Sequence, residues 1–160
     1  MKILFAAILV ALPFMAIHSS CKKAKNTAGR QQQQPPISLG DMLQCYRQTN
    51  WDSTAIHNAL MGKWQWEFIK CYWNPEDANG DDFKNLSVEF KQHDSLEVKI
   101  NGQTTQTASW KITSSNDGYF KLVLTPIVVQ LPGNILFCGE RVLFYDSYTD
   151  GCDNYFKKQN

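Results

Sequence analysis

A chain of 160 residues, 43% of them hydrophobic, is long enough for one domain with a sizeable core. Its formal net charge of +1 hides an asymmetry. Removing Lys2, Lys22, Lys23, Lys25 and Arg30 from the 16 basic residues leaves 11 against 15 acidic ones, so residues 31–160 carry −4. That balance argues against nucleic acid as a partner, which would call for a basic face.

The first 20 residues read as a secretory signal. Lys2 supplies the charged start, Ile3 to Ile17 the apolar core, and Ser19-Ser20 the small residues before cleavage. The apolar run falls short of the roughly 20 residues that a membrane span needs. Cleavage before Cys21 leaves an N-terminal cysteine. HSSC, with His18 where leucine is usual, resembles the lipobox of bacterial lipoproteins. The resemblance implies acylation of Cys21 and a lipid-anchored, extracytoplasmic protein of the outer membrane; secretion or a periplasmic location without lipid is the alternative. Setting Cys21 aside leaves four of the five cysteines, an even number suited to two disulfides in an exported protein. Residues 21–37 form the lipidated cysteine and a tether. KKAKNTAGRQQQQPP has no large apolar residue, reaches about 50 Å at full stretch, and carries four basic residues suited to anionic headgroups.

From Ser38 to Asn160 the pattern is that of one folded domain. Met42, Leu43, Cys45 and Tyr46 suggest a short amphipathic helix. Asp52 or Ser53 caps a second, with Ile56, Leu60 and Met61 on its inner face and Gly62 at its end. The period then switches to two. Trp64, Trp66 and Phe68 alternate with polar residues, followed by NLSVEF, SLEVKI, TASWKI, YFKLVL, NILFC, RVLFYDS and NYFKK. Turn pairs punctuate them, Asn101-Gly102 and Gly139-Glu140 being suited to tight hairpins. Eight short strands without a long crossover predict an all-β, up-and-down antiparallel barrel with a short N-terminal helical cap.

Gly62-Lys63-Trp64, opening the first strand after a helix, resembles the Gly-x-Trp motif of lipocalins. The resemblance implies that Trp64 closes the barrel base with a basic residue of the last strand, Lys157 or Lys158, over its indole. GKWQWEFIKCYW near the start and DGCDNYFKK at the end together resemble the small lipocalin-like lipoproteins of the Bacteroidota type, over most of residues 40–160. That group implies fold and location more than activity.

Four cysteines allow three pairings. In the barrel, Cys71 lies about 23 Å above Trp64, near the rim, where Cys152 enters the neighbouring eighth strand. The register that sets Cys71 opposite Cys152 sets Gln65 opposite Lys158. Cys45–Cys138 then pins the helical cap to the barrel floor. Strict alternation from Trp64 turns Cys71 outward, and Ile69 breaks the pattern, so a bulge is expected near residues 69–70.

No His/Cys/carboxylate cluster has metal-ligand spacing, and no cofactor motif is present. His57 and His93 read as ordinary surface; Ser53 and Ser109 lack a recognisable base, so no enzyme activity is expected. The stretch 74–82 alternates oxygen ligands at Asp77, Asn79 and Asp81, but its glycine is misplaced for calcium, and it reads as a solvated acidic loop. The barrel interior is expected to hold Trp66, Phe68, Phe90, Trp110, Phe120 and Leu122. A barrel of eight strands holds one small ligand or fills with side chains. The leading expectation is a binding protein for a small apolar ligand lined by those aromatics. The alternative is a filled barrel that meets an envelope protein through its rim, at Tyr72, Trp73 and the 74–82 loop.

Overall fold

Two helices open the fold. In the computed structural model, which describes residues 35–72, 83–115 and 117–160, α1 spans Leu39–Arg47 and α2 spans Ser53–Leu60. Ser38 accepts a bond from the Asp41 amide at 3.1 Å, and Asp52 accepts one from Ala55 at 2.7 Å. Each cap satisfies an amide that the first helical turn leaves without a partner, worth about 1 kcal/mol. Met42 and Tyr46, four apart, bury one face of α1; Ile56 and Leu60 do the same for α2. Gly62 then turns the chain with φ +103°, a conformation that favours glycine.

Eight antiparallel strands follow and close a barrel in sequence order. They are β1 (Gly62–Cys71), β2 (Leu86–Lys91), β3 (Ser95–Ile100), β4 (Gln103–Ser114), β5 (Phe120–Thr125), β6 (Asn134–Cys138), β7 (Arg141–Tyr145) and β8 (Cys152–Lys158). Asn101 and Gly102 both take positive φ, which matches the twist of a tight hairpin. The chain thus forms the all-β up-and-down barrel with a helical cap that its pattern predicts.

The strand between base and rim differs from expectation in one consequential way. Trp64 lies opposite Lys158 and Trp66 opposite Phe156, but Phe68 lies opposite Tyr155, and Cys71 opposite Cys152. The extra residue is therefore Glu67, not one near 69–70, and Trp64 rather than Gln65 faces Lys158. A bulge moves every later side chain to the other face. Cys71 consequently turns inward and is buried, while Phe68 turns outward and meets the ring of Tyr155 at 5.9 Å. Glu67 itself pairs with Arg141 at 2.9 Å on the outside.

The two halves of the barrel are covered differently. On β2 and β3, inward Leu86, Val88, Phe90, Leu96 and Val98 are buried, while Glu89, Lys91, Glu97 and Lys99 form an ionic ladder outside. On β6 to β8 both faces are buried: inward Ile135, Phe137, Val142, Phe144 and Phe156, and outward Leu136, Leu143 and Tyr155. Strand β6 meets β5 at Lys121–Asn134, and α1 packs against its flank, tied by the Cys45–Cys138 disulfide. The second disulfide joins Cys71 to Cys152. Helix α2 sits at the floor, where Trp64 Nε1 donates to Leu60 O at 2.6 Å and His57 stacks on Trp110 at 4.7 Å.

Candidate functional site

Three regions compete for the function: the lumen, the floor and the rim. In the lumen, Trp64, Leu86, Val88, Phe90, Leu96, Val98, Trp110, Ile135, Phe137, Val142, Phe144 and Phe156 are each no more than 3% exposed. A void large enough for water would leave exposed area on the side chains around it. Rings also meet edge to face, Phe90 against Trp110 at 5.2 Å and Phe144 against Phe156 at 5.7 Å, and Trp64 reaches Phe137 of β6 across the barrel at 6.0 Å. Around these side chains the interior is packed, whereas inward Trp66, Ile112, Leu122 and Leu124 are only partly buried.

The five aromatics expected to line a ligand do not share one space. Phe90 and Trp110 belong to the packed core, and Trp110 Nε1 is spent on Ser95 O at 3.1 Å. Phe68 is on the outer face. Trp66 is inward but only partly buried; it lies 5.5 Å from Phe83 and donates to Asn154 Oδ1 at 3.3 Å. Phe120 is partly buried at the start of β5, opposite Ser114.

At the floor, Lys158 Nζ lies 5.0 Å from the centroid of the Trp64 ring and donates to Ala59 O at 2.8 Å. Lys157 faces the other way, opposite Gln65. Beside this pair is a cleft of about 250 Å³, walled by Trp51, Trp64, Phe137 and the Cys45–Cys138 disulfide. Trp51 is placed by its stack on Tyr46 at 5.7 Å, its approach to Phe137 at 5.1 Å, and its Nε1 bond to Tyr46 O. Burial holds the Tyr46 hydroxyl at a pKa of about 12, with Tyr119 adding to the effect. Sequence reasoning missed Trp51; its one signal was a large aromatic in the polar link TNWDS.

The rim carries the exposed apolar residues. Among the described residues, the exposed large hydrophobics are Tyr72, Val123, Ile127, Val129 and Tyr148. All but Val123 sit on connections at the end of the barrel opposite the helices, with Ile127 at 78% and Val129 at 72% exposure. The link between β5 and β6 is held from below: Val128 and Leu131 are buried, and Gln106 Nε2 donates to Ile127 O at 2.8 Å. The link between β7 and β8 is held by Asp153, fully buried, which accepts from the amides of Asp146 and Ser147 at 3.0 Å and from the Ser147 hydroxyl at 3.1 Å. Burial raises the Asp153 pKa, and those bonds oppose the rise. Lys70 Nζ lies over the Tyr72 ring at 4.3 Å and Lys121 Nζ over Tyr148 at 5.0 Å.

Cys21, Trp73 and the 74–82 loop lie outside the described residues. His57 Nε2 is 3.1 Å from Asp94 Oδ1, an exposed pair, and no described group of His, Cys, Asp and Glu is arranged to hold a metal ion. No helix among the described residues is long and apolar enough to cross a membrane, and the two disulfides fit an oxidising compartment. Compared with protein-family models, curated proteins and solved structures, the chain matches none.

Proposed function

We propose that this protein is a lipid-anchored, extracytoplasmic interaction module of the lipocalin-like lipoprotein type, whose filled barrel presents its rim to a protein partner in the cell envelope. The observation that carries this reading is the gathering of exposed apolar side chains at one end of the barrel. Ile127 and Val129 project from a loop whose neighbours Val128 and Leu131 are buried. Tyr72 and Tyr148 each keep a lysine over the ring. Exposed apolar residues grouped at one end mark association surfaces, and a link already held in place loses little freedom on binding.

The rival reading, carriage of a small apolar ligand inside the barrel, draws on the partly buried Trp66, Phe120 and Leu122. Against it, Phe90 and Trp110, two of the rings meant to line the ligand, are buried against each other. No catalytic role belongs to the reading we favour. Acylated Cys21 and the tether through residue 37 supply the anchor.

Cross-linking in the native envelope tests the proposal. Wild type is expected to give a discrete cross-linked partner that Ile127→Lys with Val129→Lys abolishes, at an unchanged melting temperature. An unchanged cross-linking pattern in the double variant, or an apolar ligand retained through purification, would overturn it. Mass spectrometry of the mature N-terminus decides the anchor, because any terminus other than acylated Cys21 rules it out.

A further inference from the structure

Strand β4 has two neighbours, each along only half of its length. It runs from Gln103 to Ser114, but pairs with β3 only as far as Ser109 and with β5 only from Ser109 onward. Gln103 to Ala108 therefore have β3 on one side and no strand on the other. The cause lies in β5, which ends at Thr125 before Pro126, and proline has no N–H for a ladder. Trp110 N donates to Asp94 O at 2.9 Å, on the β3 side. Backbone groups alternate along a strand, so Thr107, like Ser109, aims its N–H and C=O at the open side. Among the described residues, Thr107 N–H and C=O make no backbone bond there. Gln103, Thr104, Thr105 and Thr107 are exposed.

Proteins usually blunt a bare edge with charge, proline, a bulge or a cover. This edge has a bulge, since Gln106 faces Val98 and Thr104 faces Lys99, which leaves Thr105 over. It has no charge. On the outer face, partners run in the row Glu89, Glu97, Thr107, so the charges of β2 and β3 stop at β4. No charged residue stands from Asn101 to Trp110, nor from Leu122 to Gly139. The edge lies at the rim: β4 starts from the Asn101-Gly102 turn, whereas Asp94, at the other end of β3, meets His57 of α2. The link that carries Ile127 and Val129 runs beside it, held by Gln106 Nε2 on Ile127 O at 2.8 Å. Unpaired backbone groups next to two exposed apolar side chains suit an extended polypeptide. Its main chain extends the sheet, and alternate side chains meet the apolar surface.

We propose that the rim's protein partner docks by adding an extended, uncharged segment as a strand to the free edge of β4, bonding to Thr107 and laying apolar side chains on Ile127 and Val129. This rests on the reading of the rim as an association surface, and names the kind of partner. The incoming strand takes the row that β5 leaves at Pro126. A single strand fits there better than a second barrel, which would bring its own link to the same place across a two-fold axis.

Photo-cross-linking of the full chain in the native envelope tests it, with p-benzoylphenylalanine in place of Thr104 as the probe. Thr107→Pro removes the outward N–H without touching the β3 ladder, a substitution that strand edges tolerate. It should lower the yield of the adduct about tenfold, whereas Thr107→Val, which keeps the N–H, leaves it within about twofold. The partner peptide joined to the probe should alternate apolar and uncharged polar residues. If Thr107→Pro lowers the melting temperature, probe placement decides instead: an adduct is expected from position 104 and none from Lys91, on the outer face of β2. Four results would each overturn the proposal: equal yields in Thr107→Pro and Thr107→Val, a highly charged partner peptide, an equal adduct from position 91, or an adduct of twice the chain's mass, which makes the occupant a second copy. Ile127→Lys with Val129→Lys separates the two readings. Loss of the adduct there but not in folded Thr107→Pro leaves the rim as the docking surface and removes the strand; no loss in either removes both.

Discussion

Removing the two disulfides one at a time should separate what each does for the unfolded chain from what it does for the folded one. Cys45 and Cys138 are 93 positions apart, and Cys71 and Cys152 are 81 apart. The chain-entropy relation then gives about 4.6 and about 4.5 kcal/mol at 25 °C, so the two bridges are equivalent in that respect. The folded chain treats them differently. Cys71 and Cys152 are direct partners in the β1–β8 ladder, with Cα atoms 4.4 Å apart, and the ladder continues from them to Trp64 and Lys158. Cys45–Cys138 instead fastens a helix of nine residues to a strand. A helix that short is not stable alone. Cys45→Ala/Cys138→Ala and Cys71→Ala/Cys152→Ala should therefore lose similar stability in denaturant titrations, about 2–4.5 kcal/mol each. Hydrogen exchange should tell them apart: the amides of Met42 to Arg47 lose protection in the first double variant and keep it in the second. Stability losses differing by more than about 2 kcal/mol would refute the chain-entropy argument. Full protection of α1 without its bridge would refute the claim that the disulfide holds it.

Two further outcomes follow from the rim links. Burial raises the Asp153 pKa, so the folded chain takes up a proton at a higher pH than the unfolded chain, and this contribution to stability grows as pH falls toward the ordinary carboxylate value of about 3.9. Melting temperatures measured from neutral to acid pH should shift in favour of wild type over Asp153→Asn; parallel profiles would show that Asp153 does not titrate in that range. Gly133 has φ +87°, and an added Cβ would lie 2.1 Å from Tyr145 O, whereas at Gly102, φ +78°, nothing lies within 4 Å. Gly133→Ala should cost at least about 3 kcal/mol and Gly102→Ala about 1 kcal/mol, so equal losses by thermal denaturation would contradict the close approach.

The strand order was legible because alternation and turn residues agree along the chain: Asn101-Gly102 sits between SLEVKI and TASWKI and forms the hairpin its composition calls for. The bulge was legible in kind but not in place. Ile69 breaks the alternation, yet the extra residue is Glu67, whose charge points to solvent whichever way the strand runs. Only the ladder with β8 fixes it, through Phe68 opposite Tyr155. NILFC and RVLFY carried a signal that a strand-by-strand reading for alternation overlooks. They are nearly continuous apolar runs, the mark of strands buried on both faces, and they foretell that something must cover Leu136 and Leu143 from outside. Helix α1 packs against β6, tied through Cys138.

The candidate sites were less legible, and the reason is volume. A sequence shows which side chains alternate inward but not whether their rings meet. Trp64 and Phe137 are 73 positions apart on strands that do not pair, yet their rings meet at the floor of the barrel. A cleft opens between the helical cap and the strand ends, where helix meets sheet. Trp51 and Lys158, from the helical cap and the last strand, both line it.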